Sequence, residues 1–214
     1  ILQLIAVLSL IIAIARPRSG EKEDVEDSRG IEVVIAFDVS RSMLASSNDD
    51  PAGISRLDRA KHILDKLVDK LNNDKVGLIV FAGEAATQLP LTTDFVSAKM
   101  YLNSLSPNMM QTQGTAIGDA IGLAMNAFTA DETMSKSIIL ITDAEDHEGN
   151  AEEMAKQAAD KGIQINVVGV GSPKGNPIPL DNRGSYLKDN TGSVVTTALN
   201  EQVASQIAKT GNGI

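Results

Sequence analysis

The stretch Ile31-Glu32-Val33-Val34-Ile35-Ala36-Phe37-Asp38-Val39-Ser40-Arg41-Ser42 decides the fold. From Ile31 to Phe37 it is β-branched or otherwise apolar, interrupted by Glu32. A near-continuous apolar run of this length fits a strand covered on both faces, as in a parallel sheet. A carboxylate and two hydroxyls follow at alternate positions, in D-x-S-x-S spacing, where the strand ends. In an open α/β sheet, sites form beyond the carboxyl ends of the strands, and Asp38 stands there.

Moving outward, the period changes from two to that of a helix. Leu57, Ala60, Ile63, Leu64, Leu67, Val68 and Leu71 form a helical stripe that Asn72-Asn73-Asp74 ends. VGLIVF (76–81) predicts a second buried strand and ATQLPL (86–91) its hairpin partner, with Pro90 placing the latter at a sheet edge. Thr93 or Asp94 caps a helix carrying Phe95, Ala98, Leu102 and Leu105. A further helix from about Ala116 buries Ile117, Ala120, Ile121, Ala124 and Phe128. SIILIT (137–142) and IQINVVGVG (163–171) predict a fourth and a fifth strand, separated by a helix around Ala151, Met154, Ala155 and Ala158. This alternation predicts an α/β fold: a doubly wound, mostly parallel sheet with helices on both faces and one antiparallel edge strand. Residues 172–198 read as an insertion, a Pro-rich loop followed by a hairpin turning at 189–192. A helix with Leu199, Val203 and Ile207 inward then ends at Gly211-Asn212-Gly213, and Ile214 is expected to open a strand that would follow.

Upstream, ILQLIAVLSLIIAIA (1–15) is apolar all round except for Gln3 and Ser9. Residues 1–18 are expected to be the end of a truncated transmembrane helix, closed by Arg16-Pro17-Arg18. A signal-peptide core is the alternative. SGEKEDVEDSRG (19–30) reads as an acidic linker, leaving 31–214 as the domain. The net charge of −9 gives no basic footprint for nucleic acid, and the absence of cysteine removes disulfides, thiolate metal sites and Cys nucleophiles.

Two later segments converge on the first strand's end if the fold is right. Gly114-Thr115 opens a helix, and Thr142-Asp143 closes the fourth strand. Singly, Ser40, Ser42 and Thr115 read as helix caps. Together, Asp38, Ser40, Ser42, Thr115 and Asp143 make an oxygen-only set suited to a hard cation: Mg²⁺, with Mn²⁺ or Ca²⁺ as alternatives. One water on such an ion is replaceable by a partner's carboxylate. Met109 and Met110, in the loop before Thr115, either pack into the core or present a contact surface beside the ion. With Glu145 and His147 they are the candidate partner-binding residues. A metal-dependent hydrolase is a rival reading, with Glu145, Asp146 or His147 as its base. A structural domain with a vestigial site is another.

The D-x-S-x-S, Gly-Thr and Thr-Asp segments resemble the three-loop metal-ion-dependent adhesion site of von Willebrand factor A-type (VWA) domains. FDVSRSML, RLDRAKHIL, VGLIVFAGEA with QLPLTTD, QGTAIGDAI, LITDAEDHEG, GVGSPKGNPIPL and LKDNTGSVV are similar to bacterial Bat aerotolerance membrane proteins of the BatB type. The resemblance implies metal coordination by Asp38, Ser40, Ser42, Thr115 and Asp143, and adhesion rather than catalysis. It also implies a membrane-anchored interaction module of the bacterial inner membrane. That module would work beside sibling Bat proteins and a MoxR-type AAA+ ATPase, in assembly or stress tolerance, including tolerance of oxygen. The resemblance further implies a periplasm-facing domain, whereas Arg16 and Arg18 by themselves favour a cytoplasmic flank. It also leads one to expect a final strand, a C-terminal helix and a second span beyond Ile214. One departure is Ala144, where the family usually has Gly after the Asp; its methyl removes no ligand, and crowding of a partner's approach is the effect it could have.

Overall fold

A computed structural model describes residues 30–71, 74–146, 149–181 and 184–214. The apolar segment 1–18, the linker up to residue 29 and His147 lie outside the described residues.

The central strand is β1 (Ile31–Asp38), flanked by β2 (Lys75–Phe81) and β4 (Ser135–Thr142). With β3 (Ala85–Thr92) and β5 (Ile163–Gly169) the order is β3-β2-β1-β4-β5. All neighbours are parallel except β2 and β3, so the antiparallel edge strand stands where Pro90 puts it. An edge position spares Pro90 the ladder bond its missing N–H cannot make.

Successive side chains of a strand point to opposite faces, and β1 divides its apolar residues accordingly. Val33, Ile35 and Phe37 pack with α1 (Arg56–Val68) and α2 (Phe95–Ser104) through Leu57, Leu64, Ala98 and Leu102. Val34 and Ala36 face α3 (Ile117–Ala127), α4 (Ala151–Asp160) and α5 (Glu201–Thr210) through Ile117, Ile121, Ala155 and Ile207. Both faces are therefore covered, which is why β1 carries no polar alternation. Three helices begin where the sequence supplies a cap: Ser55, Asp94 and Asn200 each accept a hydrogen bond from the backbone N–H three residues on. Ile63, expected in the α1 stripe, is instead 40% exposed, and Leu64 fills the core beside it.

Residues 172–198 leave the sheet as a small antiparallel excursion. β6 (Asn176–Pro177) pairs with β7 (Thr196–Thr197), and single bridges join Pro179 to Tyr186 and Lys188 to Val194. The ladder is broken because Pro177 and Pro179 donate no N–H. The excursion is pinned at its base to the loop after β1. Asn176, buried, donates from Nδ2 to Asn48 O at 2.6 Å, and Ser172 Oγ donates to Asp49 Oδ1 at 2.5 Å.

Candidate metal centre

The parallel register of β1 and β4 pairs Phe37 with Ile141, so Asp38 and Thr142 stand side by side at the carboxyl end of the sheet. Thr142 Oγ1 donates to Asp38 Oδ2 at 2.6 Å, and the Ser40 N–H donates to Asp38 Oδ1 at 2.8 Å. Asp38 and Asp143 are both fully buried. A short helical turn, Arg41–Leu44, bends the chain after Asp38 and brings Ser40 Oγ and Ser42 Oγ within 2.8 Å of each other.

Thr115 reaches the same place from another direction. The loop before α3 is fastened to the end of β2: Ala116 N donates to Ala82 O at 2.6 Å, and Gly83 N to Thr112 O at 3.1 Å. The two loops touch through glycine. A Cβ on Gly83 would lie 2.7 Å from Gln113 O, and Gly114 has φ +144°, which other residues rarely adopt. Thr115, Ser40 and Ser42 together line one cleft of about 600 Å³ above the buried carboxylates. The five candidate ligands therefore come from three loops that meet at the sheet's carboxyl end.

The electrostatics of this end are unbalanced. Burial, reinforced by the charge of Asp143, pushes the Asp38 carboxyl up to about 7. Burial raises Asp143 too, opposed by a hydrogen bond from Ser42 and by the Arg56 guanidinium. Arg56 is itself fully buried, with Nη1 2.6 Å from Asp143 Oδ2. The guanidinium pairs with Asp143, whereas the described hydrogen bonds to Asp38 come from neutral donors, the Ser40 N–H and the Thr142 hydroxyl. Oxygen donors with an uncompensated negative charge fit a hard divalent cation. Among the described residues no three His, Asp or Glu side chains gather as a metal cluster; the set here is two carboxylates with Ser and Thr.

The candidate contact residues fare differently. Glu145 lines the cleft, but its carboxylate is engaged: it accepts from Thr197 Oγ1 at 2.6 Å and from Ala198 N at 2.8 Å. Met110 is buried in the core on the α1–α2 side, and Met109 packs against the same cluster. The contact-surface expectation is thereby corrected for Met110, because the loop turns its side chain into the core. His147 lies outside the described residues. Ala144 is fully buried and does not line the cleft, so its methyl does not crowd a partner's approach. The same residue has φ +57°, the left-handed region where glycine is at ease.

Arg56 is the residue that sequence reasoning missed. Besides Asp143 it binds Thr197, with Nη1 3.0 Å from Oγ1 and Nη2 2.8 Å from the carbonyl. It thereby ties the end of β4 to the base of the excursion. An arginine opening an amphipathic helix reads as part of its solvated face, and no local signal marks it as buried.

Residues 32–204 match the family model of the von Willebrand factor type A domain. The chain belongs to that family. Two solved structures are close in sequence and cover most of the chain. BatB from Bacteroides thetaiotaomicron, described as a conserved hypothetical protein, is 54% identical, with TM-score 0.82 over 86% of this chain and 88% of that one. An aerotolerance-related membrane protein from Bacteroides fragilis is 52% identical, with TM-score 0.82 over 86% and 90%. At 18% identity and TM-score 0.60, over 85% of this chain and 40% of the other, a mussel byssus matrix protein shares the fold; its own MIDAS motif is occupied by zinc. Among curated relatives, an uncharacterized protein from Borreliella burgdorferi is 27% identical over 78% of this chain, which spans 49% of that protein's length. Among the described residues no helix is long and apolar enough to cross a membrane.

Proposed function

We propose that this VWA domain is a metal-dependent protein-interaction module. Asp38, Ser40, Ser42, Thr115 and Asp143 hold a divalent cation, Mg²⁺ by preference, with its free position turned to the cleft. A partner's Asp or Glu side chain completes the coordination, so the ion serves adhesion and no bond is broken. The observation that carries this reading is the pair of fully buried carboxylates at one end of the sheet, Asp143 paired with Arg56 and Asp38 held by neutral donors alone, with the hydroxyls of Ser40, Ser42 and Thr115 lining the cleft there. The likeness to a BatB protein and to an aerotolerance-related membrane protein supports a place in a membrane-anchored Bat assembly; in this reading the domain faces the periplasm. Sibling Bat proteins and a MoxR-type ATPase are the partners this reading names.

The test is a calorimetric Mg²⁺ titration of the metal-stripped chain beside its Asp38→Ala variant. Saturable binding lost in the variant supports the reading. Equal binding to both would place the ion elsewhere. Mg²⁺-dependent turnover of phosphoesters, abolished in the variant, would replace adhesion with hydrolysis.

A further inference from the structure

The cleft above the candidate ion has two dissimilar walls. Ser40, Ser42 and Thr115 form the polar one. The excursion forms the other, presenting Ile178, Leu187 and Val195. These three belong to different short segments, brought together by the broken ladder: Ile178 N donates to Val195 O at 3.2 Å, Leu187 N to Ile178 O at 2.8 Å, and Val195 N to Leu187 O at 2.8 Å.

That ladder determines what this wall offers a partner. The backbone N–H groups of Ile178, Leu187 and Val195 are already used within the excursion. The polar groups at its base are also engaged, since Thr197 binds Arg56 and Glu145, and Glu145 binds Thr197 and Ala198. What remains toward the cleft is mainly aliphatic surface, with Thr196 exposed beside it: Leu187 and Val195 are half-buried and Ile178 is 6% exposed. The wall is also held in place, because Asn176, Ser172 and Arg56 anchor the excursion to the loops after β1 and β4. A preformed apolar surface continuous with a charged site is the usual form of a specific subsite.

Charge restricts the occupant. The chain carries a net charge of −9, so an acidic partner meets general repulsion. The attraction must be local, from the ion and from Arg41, exposed at the cleft's rim. A long acidic tract gains from one ion once and is repelled along the rest of its length. A single carboxylate beside an aliphatic residue gains from both walls. Resting on the adhesion reading above, we propose that the cleft takes a protein segment in which one Asp or Glu stands within two residues of Leu, Ile, Val or Met. The carboxylate goes to the cation, and the aliphatic side chain packs against Ile178, Leu187 and Val195.

The test is selection of a phage-displayed random heptapeptide library on the chain, in Mg²⁺ and in EDTA. The expected Mg²⁺-dependent clones share one acidic residue with an aliphatic neighbour. A Leu187→Ser/Val195→Ser double variant should then bind a synthetic copy of the best clone at least about tenfold more weakly, as loss of one buried aliphatic contact implies. Its Mg²⁺ titration should be unchanged, which certifies that the variant folds. Acidic clones with no aliphatic preference, or a preference that survives in the double variant, would overturn this inference while leaving ion-dependent adhesion intact. A library yielding no Mg²⁺-dependent clones would instead overturn the adhesion reading and this inference with it.

Discussion

β1 carries a buried carboxylate at each end, and the two ends solve the same problem in opposite ways. Glu32 and Asp38 are both fully buried, and being six residues apart they point to the same side of the sheet. Glu32 is satisfied. Lys75 Nζ lies 3.0 Å from Oε1, Thr129 Oγ1 donates to Oε1 at 2.5 Å, and Thr129 N donates to Oε2 at 3.0 Å. Burial would raise its pKa, but these hydrogen bonds and the Lys75 charge prevail and hold it below its ordinary value. Asp38 receives two neutral hydrogen bonds and faces a second carboxylate, and it is pushed up to about 7. Burial of an acid therefore says little about function by itself. A buried acid with its counter-charge supplied is part of the framework, and one whose counter-charge is missing marks a place for a cation.

The contrast breaks most clearly at Asp38. Asp38→Asn keeps the shape and removes the charge. We expect Mg²⁺ affinity to fall by more than about 100-fold in calorimetry, exceeding the usual loss from an outer-shell change. In EDTA the same variant should be more stable than wild type, by on the order of 1–2 kcal/mol in denaturant unfolding, because the cost of burying the Asp38 charge and then its repulsion from Asp143 are relieved. Lower stability in EDTA would mean that Asp38 is already compensated, as Glu32 is.

Arg56 sharpens the comparison, being the buried cation paired with Asp143 at the site end. Arg56→Met leaves Asp143 buried without its partner, and removal of one member of a buried pair costs about 3–5 kcal/mol. We expect that loss in EDTA and a substantial recovery in saturating Mg²⁺, since the ion supplies positive charge to the same carboxylates. A loss of equal size with and without Mg²⁺ would assign Arg56 to the framework alone.

At the other end, Glu32→Gln should cost about 1.5–3 kcal/mol, the range for a hydrogen bond to a charged group, and Mg²⁺ should not change it. The folded pKa of Glu32 lies below the ordinary 4.5. Its contribution is therefore complete above that value and is lost as pH falls through the lower, folded value. The stability gap between wild type and variant should be constant from neutral pH down to about 5 and close on further acidification. A gap that opens toward low pH would reverse the assignment.

Legibility in the sequence divides along the same line between local and distant. Four of the five strands were readable because each is a short apolar run, and the mixed β3 was readable as the hairpin partner of β2, with Pro90 marking the edge. Asp38, Ser40 and Ser42 were readable because one tight loop holds them, and Thr115 and Asp143 because each sits at a recognisable element junction. What escaped depends on contacts far along the chain. Arg56 meets Asp143 across 87 residues and Thr197 across 141, and Glu32 meets Thr129 across 97. Met110 escaped for a related reason: a polar loop does not disclose which of its residues turns inward. The broken ladder of the excursion needed the spatial pairing of residues 176–180 with 185–187 and 194–197, which periodicity over such short segments cannot supply.

The smallest effect concerns Ala144, between the two regimes. Its backbone is left-handed at φ +57°, and its N–H donates at 3.0 Å to Thr142 Oγ1, which in turn donates to Asp38. A non-glycine residue in that region costs about 1–2 kcal/mol. Ala144→Gly removes the strain. It also removes a fully buried methyl, worth about 0.8 kcal/mol, and it loosens the unfolded chain. These terms nearly cancel, so stability should change by less than about 0.5 kcal/mol, and Mg²⁺ affinity by less than about twofold. Affinity is the informative readout. If glycine weakened Mg²⁺ binding several-fold while stability held, the left-handed turn would be what orients Thr142 and Asp143. The unbalanced end of β1 would then be fixed by backbone geometry as well as by charge.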